Sequence, residues 1–198
     1  MTQDMYEVFP IPVPSSATHV RNYATLRLLA LQTDPQCFGS TYERESAFTD
    51  AVWRSRLDSD DKVTIIASSL PSQSESGDEG GWVGTVTILA PAMLFLSGFA
   101  LPKSVTERGV DIYQLVGMWI HPEHRKRGLG KRLIEAGLDW IRRERTNDRG
   151  VPGEMVLMLK VVHHNNSAKS LYTSMGFVET DDEVEMGGGI SMIMHISK

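Results

Sequence analysis

From Leu115 to Leu133 the chain reads Leu-Val-Gly-Met-Trp-Ile-His-Pro-Glu-His-Arg-Lys-Arg-Gly-Leu-Gly-Lys-Arg-Leu. An apolar strand runs into a basic, glycine-bearing turn, and an amphipathic helix begins at once. The first turn of a helix leaves backbone N–H groups unpaired at the positive end of its dipole. Gly128 and Gly130 are expected to let backbone amides approach a ligand without a Cβ in the way. With Arg125, Lys126, Arg127, Lys131 and Arg132 they form an anion cradle suited to a pyrophosphate. The plainer alternative is an ordinary strand–turn–helix with a solvated basic face. Two other phosphate motifs are excluded. A P-loop needs glycine where Arg125 stands and Ser or Thr where Arg132 stands. A dinucleotide fingerprint needs glycine at Leu133 and belongs near the first strand.

The elements that must hold this turn follow from periodicity and punctuation. After an extended lead from Tyr6 to Val13, Ser15 and Ser16 offer caps for a helix to about Gln32, with Leu26, Leu29 and Ala30 at helical spacing and Pro35 beyond its end. A second helical stretch is predicted over Thr41–Leu57, with Phe48, Val52 and Trp53 inward. Lys62–Ser68 and Trp82–Ala90 read as strands around a low-complexity acidic loop, Ser69–Gly81. Ala92–Val110 is apolar but interrupted by Gly98 and Pro102, and reads as a covered connection or a segment packed over a binding cleft. Asp111–Ile120 is a buried strand, Gly128–Arg145 an amphipathic helix and Glu154–Val162 a strand buried on both faces. A turn at 146–153 lies between the last two. Asn165–Met175 is a short helix, and strands near Phe177–Val184 and Ile190–Ile196 flank the Gly187–Gly189 turn. The alternation implies an α/β protein with a mixed sheet.

Composition bounds the function. The 198 residues carry 20 Lys+Arg and 25 Asp+Glu, a net charge of −5, and suit a single domain over 1–198. His121–Arg149 is +4, with nine basic and five acidic residues, leaving −9 on the rest. An acidic chain with one basic stretch, and no aromatics interleaved there, is a poor nucleic-acid binder. The lone Cys37 forms no intrachain disulfide, no Cys/His cluster has zinc spacing, and no apolar run approaches the ~18 residues of a membrane span. The N-terminus lacks signal-peptide features. A cytoplasmic protein without membrane, metal or nucleic-acid partners, monomeric or homodimeric, is expected.

The sequence resembles the GNAT superfamily of acyl-CoA N-acyltransferases. Their phosphate loop, Arg/Gln-x-x-Gly-x-Gly/Ala, is matched by Arg125, Gly128 and Gly130, after a strand ending Trp119-Ile120-His121-Pro122. A second signature, Asn-x-x-Ala-x-x-Leu-Tyr-x-x-x-Gly-Phe, is matched at Asn165, Ala168, Leu171, Tyr172, Gly176 and Phe177. The resemblance spans Asp111–Phe177, about a third of the chain. It implies a central, mostly antiparallel mixed sheet with helices on both faces and a splayed central strand pair, and acetyl-CoA as co-substrate. By this resemblance the loop Arg125-Lys126-Arg127-Gly128-Leu129-Gly130-Lys131 binds the pyrophosphate, and the backbone of Met118, Trp119 and Ile120 pairs with the pantetheine arm. A bulge is expected at Gly117. Asn165, with Ala168, contacts the arm or caps the short helix.

Acetyl transfer to an amine needs a neutral nucleophile, a stabilised oxyanion and a proton for the departing thiolate. Amides near Met118–Ile120 are placed to polarise the carbonyl. The family often puts the proton donor where Tyr172 stands, and a phenol near 10 against a thiol near 8.5 needs no large shift; packing is its other reading. Some relatives carry a basic Glu where this chain has Gln114, which cannot take a proton. Glu43, Glu45, Asp111, His121, His163 and His164 are the remaining candidates, with Glu43 preferred because its region borders the acceptor site in the family. The expected reaction is acetylation of a primary amine on a small-molecule or amino-acid-like acceptor. The alternatives are a protein N-terminus or lysine, or a non-catalytic CoA-binding regulator.

Overall fold

The computed structural model describes residues 5–70, 81–97, 110–147, 154–180 and 189–196. Its strands are β1 Tyr6–Pro10, β2 Lys62–Ser69, β3 Gly81–Leu89, β4 Asp111–Ile120, β5 Met155–Val162, β6 Val178–Glu179 and β7 Gly189–Ile196. The helices are α1 Ala17–Thr33, α2 Tyr42–Ser46, α3 Asp50–Ser55, α4 Pro91–Ser97, α5 Leu129–Asn147 and α6 Asn166–Ser174, with 3-10 turns at Pro35–Cys37 and Pro122–His124. The seven strands form one sheet in the order β1-β2-β3-β4-β5-β7-β6. Only β4 and β5 run parallel. The α/β class and the mixed, mostly antiparallel sheet expected from the sequence are both present.

Most of the acidic loop, most of the segment after Ser97, the 148–153 turn and part of the glycine turn lie outside the described residues, and so does the reading of 98–109 as a cover over a cleft. Within 92–110 the chain does form a regular element, α4. Ser16 caps α1, accepting from the His19 amide at 3.1 Å while His19 Nδ1 accepts from the Ser16 amide at 3.3 Å. The buried stripe of α1 is Val20, Tyr23, Leu26, Arg27, Ala30 and Leu31. Leu29 falls off that stripe and is 38% exposed, contrary to expectation. The single helix expected over Thr41–Leu57 is two, because Thr49 caps a new helix by accepting from the Val52 amide. In α3 Trp53 turns inward and Val52 outward.

The sheet separates two unlike layers. On one face α5 lays Leu129, Leu133, Ile134, Leu138 and Ile141 against Ile65, Val86, Ile88, Tyr113, Leu115, Leu157 and Leu159, joined by Tyr172 and Phe177. Gly137 lets α5 lie close, since a Cβ there would meet Ile88 Cγ1 at 2.9 Å. On the opposite face α1 and α3 cover Ile66 and Trp119, and Leu94 of α4 packs in a smaller group with Ile112, Val156, Met158 and Ile193. Helices therefore lie on both faces, as a mixed sheet with apolar residues on both sides requires.

Candidate active site

The cleft is built on β4. Its lower half pairs with β5 from Asp111↔Met155 to Leu115↔Leu159, where the pairing ends although both strands continue. On the other side Thr87 pairs with Val116 and Thr85 with Trp119, so β4 carries one residue more than β3 across that step. Gly117 sits in the extra position at φ +62°, a left-handed conformation that suits glycine. The expected bulge is therefore present. It swaps the facing of the strand: Tyr113 and Leu115 look toward α5 below it, Met118 and Ile120 above it. Above the bulge the β5-facing edge of β4 has no strand partner among the described residues; the Ile120 carbonyl there accepts from Arg125 Nε, and the remaining backbone groups of that edge are open to an extended arm.

The turn after β4 carries two left-handed residues close together. Lys126 stands at φ +59° and Gly128 at φ +77°, and left-handed residues set among others can turn neighbouring amides to one side. A Cβ on Gly128 would meet nothing within 4 Å, so the space in front of that amide is open. No described hydrogen bond outside the helix uses an amide from Arg127 to Lys131 as donor. These features fit a diphosphate group. Gly130 is different from expectation. A Cβ there would lie 2.7 Å from Leu171 Cδ2 and 3.2 Å from Met118 Cε, so this glycine admits α6 and the β4 side chains rather than a ligand. Of the basic side chains, Lys126 and Arg127 are exposed. Lys131 pairs with Glu135 at 3.7 Å, Arg132 donates to the Tyr6 carbonyl at 3.1 Å, and Arg125 turns inward onto Asp34 and the Ile120 carbonyl.

Asn165 caps α6, its Oδ1 accepting from the Ala168 amide at 3.1 Å. Its Nδ2 donates to Cys37 Sγ at 3.6 Å. Tyr172 is buried, with its hydroxyl donating to Met118 Sδ at 3.5 Å. Burial, and after it the charge of a Cys37 thiolate, pushes the Tyr172 phenol up to about 12. That corrects the expectation of an unshifted phenol. Burial and the Asp34 charge likewise push the Cys37 thiol up, against the pull of Arg125 and the Asn165 hydrogen bond. The structure thus gathers Met118, Trp119, Arg125, Asn165 and Tyr172, and adds Asp34 and Cys37, which no motif had marked.

The candidate bases scatter. Glu45 is 1% exposed and committed to Arg27, which donates Nε and Nη2 to its two oxygens at 3.0 and 2.9 Å. Burial alone would raise its pKa, but the hydrogen bond and charge of Arg27, with Ser40 and Arg56, hold it below the usual range. It is a structural carboxylate and is removed as a base. Asp111 begins β4, at the end away from the turn. His163 and His164 are exposed at the end of β5, and His121 packs against Trp119 and His124. Glu43 lines a hollow of about 480 Å³ with Leu31, Gln32, Pro35, Phe38 and Tyr42 among others. Gln114 is 1% exposed, in the paired half of β4, and its Oε1 has no partner among the described residues. Among the described residues no three His, Cys, Asp or Glu side chains come together as a metal site would need. No described helix is long and apolar enough to cross a membrane.

Comparison with known proteins agrees with this geometry. The acetyltransferase (GNAT) domain family matches residues 78–179, just over half the chain. No curated protein matches it. An acetyltransferase of the GNAT family from Streptococcus pneumoniae superposes with a TM-score of 0.60 at 20% identity, over 97% of this chain and 99% of its own. A GNAT acetyltransferase from Staphylococcus aureus gives 0.58 at 12%, over 97% and 99%. PaiA N-acetyltransferase from Thermoplasma acidophilum, solved with coenzyme A, gives 0.55 at 13%, over 96% and 98%. At such identities these likenesses speak for the fold; the family rests on the domain match. The chain belongs to the GNAT acetyltransferase family.

Proposed function

We propose that this enzyme acetylates the primary amine of a small-molecule or amino-acid-like acceptor. The observation that supports this acceptor class is the hollow of about 480 Å³ between the end of α1 and α2. Its size falls within the ~300–1,000 Å³ of small-molecule sites. Leu31, Pro35, Phe38 and Tyr42 give it an apolar body, and Glu43 is the one charged residue among the described residues that line it. A compact amine that is cationic in solution suits that lining.

Acetyl-CoA supplies an acyl group activated as a thioester. The residues of the chain bind, orient and exchange protons around it. The turn from Arg127 to Lys131 holds the diphosphate by backbone amides, with Lys126 and Arg127 adding charge. The free edge from Met118 to Ile120 takes the pantetheine arm as an added strand, and its amides polarise the carbonyl. Asn165, whose Oδ1 is used by the cap, offers its Nδ2 to the arm in place of Cys37. Tyr172 donates the proton to the leaving sulfur. A phenol at about 12 stays protonated throughout the working range, and the burial that raises it raises a thiol beside it as well, which lessens the mismatch between them. Glu43 stands on the acceptor side as the base.

A screen of amines and peptides against the enzyme with acetyl-CoA, read by release of free thiol, tests the reading. Turnover of small amines, with peptides inert, is expected. Turnover confined to peptide N-termini or lysines would replace it with a protein acceptor. Tight CoA binding without turnover of any amine would favour a CoA-binding regulator, for which the amide at Gln114 is the supporting observation.

A further inference from the structure

Asp34 closes α1, its amide donating to the Ala30 carbonyl at 2.9 Å. One carboxylate oxygen, Oδ2, then serves two donors. It accepts from the Trp119 indole Nε1 at 2.7 Å and from Arg125 Nη2. The same guanidinium donates Nε to the Ile120 carbonyl at 2.9 Å. A side chain only 16% exposed therefore ties together the end of α1, the free half of β4 and the first residue of the phosphate turn.

We propose that Asp34 is a positioning residue for acetyl-CoA, holding the Trp119 indole and the Arg125 guanidinium so that the β4 edge and the phosphate turn present one continuous surface. The inference rests on reading that surface as the CoA site. Its physical basis is the number of soft points the contact spans. Trp119 lies two residues past the Gly117 bulge, and Arg125 lies immediately before the left-handed Lys126. Neither segment is fixed by a strand on the β5 side. Charge-assisted hydrogen bonds are roughly twice as strong as neutral ones, and Asp34 is the carboxylate that supplies the charge here. Without it, the buried indole loses its acceptor and Arg125 its counter-charge. The junction then populates other arrangements, and apparent affinity falls in proportion to the competent fraction. Arg125, on this view, acts through its contact with Asp34 rather than as a phosphate ligand.

Calorimetry of CoA binding to the full chain tests this, with the wild type, Asp34→Asn, Arg125→Gln and the double variant. Each single substitution is expected to weaken CoA about tenfold, the effect of losing a hydrogen bond to a charged group. The double variant should bind no more weakly than the worse single, because both act through one contact. An Asp34→Asn protein with lowered thermal stability but CoA affinity within twofold of wild type would reduce Asp34 to a structural role and overturn the inference. Additive losses would overturn it too. If Asp34→Asn does not fold, Arg125→Gln decides alone: its side chain is 43% exposed, and unchanged affinity there overturns the proposal. Failure of the wild type to bind CoA would instead remove the site reading on which the inference stands.

Discussion

The two halves of β4 share one strand and differ in every property that matters for function. From Ile112 to Leu115 the strand is buried and paired with β5, and Gln114 and Leu115 pair with β3 as well. From Gly117 to Ile120 every residue but the buried Trp119 is exposed or half-buried, and the strand pairs with β3 alone. The lower half binds the two sides of the sheet together, whereas the upper half leaves a row of backbone groups for something else to use. One inserted residue separates them. A strand interior resists change because each side chain fills a packed niche; an edge freed by a bulge gives up that packing and gains an open row of donors and acceptors. The contrast predicts that damage below Gly117 appears as lost stability and damage above it as lost binding or rate.

The largest effect should come from Tyr172→Phe, which removes the hydroxyl beside Met118 and keeps the buried ring. If the phenol protonates the leaving sulfur, kcat falls by roughly 10²–10⁴ while CoA affinity and folding change little. A rate within a factor of about two of wild type, with chemistry limiting, would leave Tyr172 as packing alone. Next is Leu115→Ala in the lower half. Its side chain is buried in the α5 core, so a cavity cost of about 2–5 kcal/mol is expected in denaturant unfolding. CoA affinity of the folded protein should hold, and a comparable loss of affinity would erase the distinction between the halves.

Gly128→Glu belongs to the binding side. It places a carboxylate where the diphosphate is proposed to lie and strains a left-handed position. We expect CoA binding to weaken by more than about a hundredfold, equivalent to about 2.7 kcal/mol, in a protein that remains folded. Unchanged affinity by calorimetry would end the assignment of this turn. Gly117→Ala should be milder, costing about 1–2 kcal/mol for the left-handed conformation, with a loss of CoA affinity that Leu115→Ala does not show.

The smallest expected effect is one of pH. The Tyr172 phenol is raised above its unfolded value near 10, to about 12. Its contribution to stability is therefore complete below about pH 10 and lost as pH rises toward 12. Thermal melts of wild type and Tyr172→Phe should coincide near pH 9, and the wild type should fall below the variant as pH rises from about 10 toward 12. Parallel curves would show that the phenol is not held neutral by its surroundings.

Much of this arrangement was legible without coordinates. The strand from Asp111 to Ile120, the bulge at Gly117, the cap at Asn165 and the helix after Gly128 depend on residues a few positions apart, and local spacing encodes them. Two glycines in one motif proved to have different tasks. Gly128 serves the backbone conformation, while Gly130 serves a contact with Leu171, 41 residues away in the numbering. Glu45 looked like a free carboxylate beside the acceptor region because Arg27, its partner, lies on another helix.

The sequence by itself determined the helical and strand periods, the left-handed glycines and the basic turn, since backbone conformation and amphipathicity are set by neighbours along the chain. The tertiary structure alone decided which side chains share a site. Asp34 meets Trp119 and Arg125 across separations of 85 and 91 residues, and Cys37 meets Asn165 across 128. Such contacts exist only once the sheet has brought the end of α1 over the upper half of β4, because a short polar side chain carries no periodic signal of the partner it will meet.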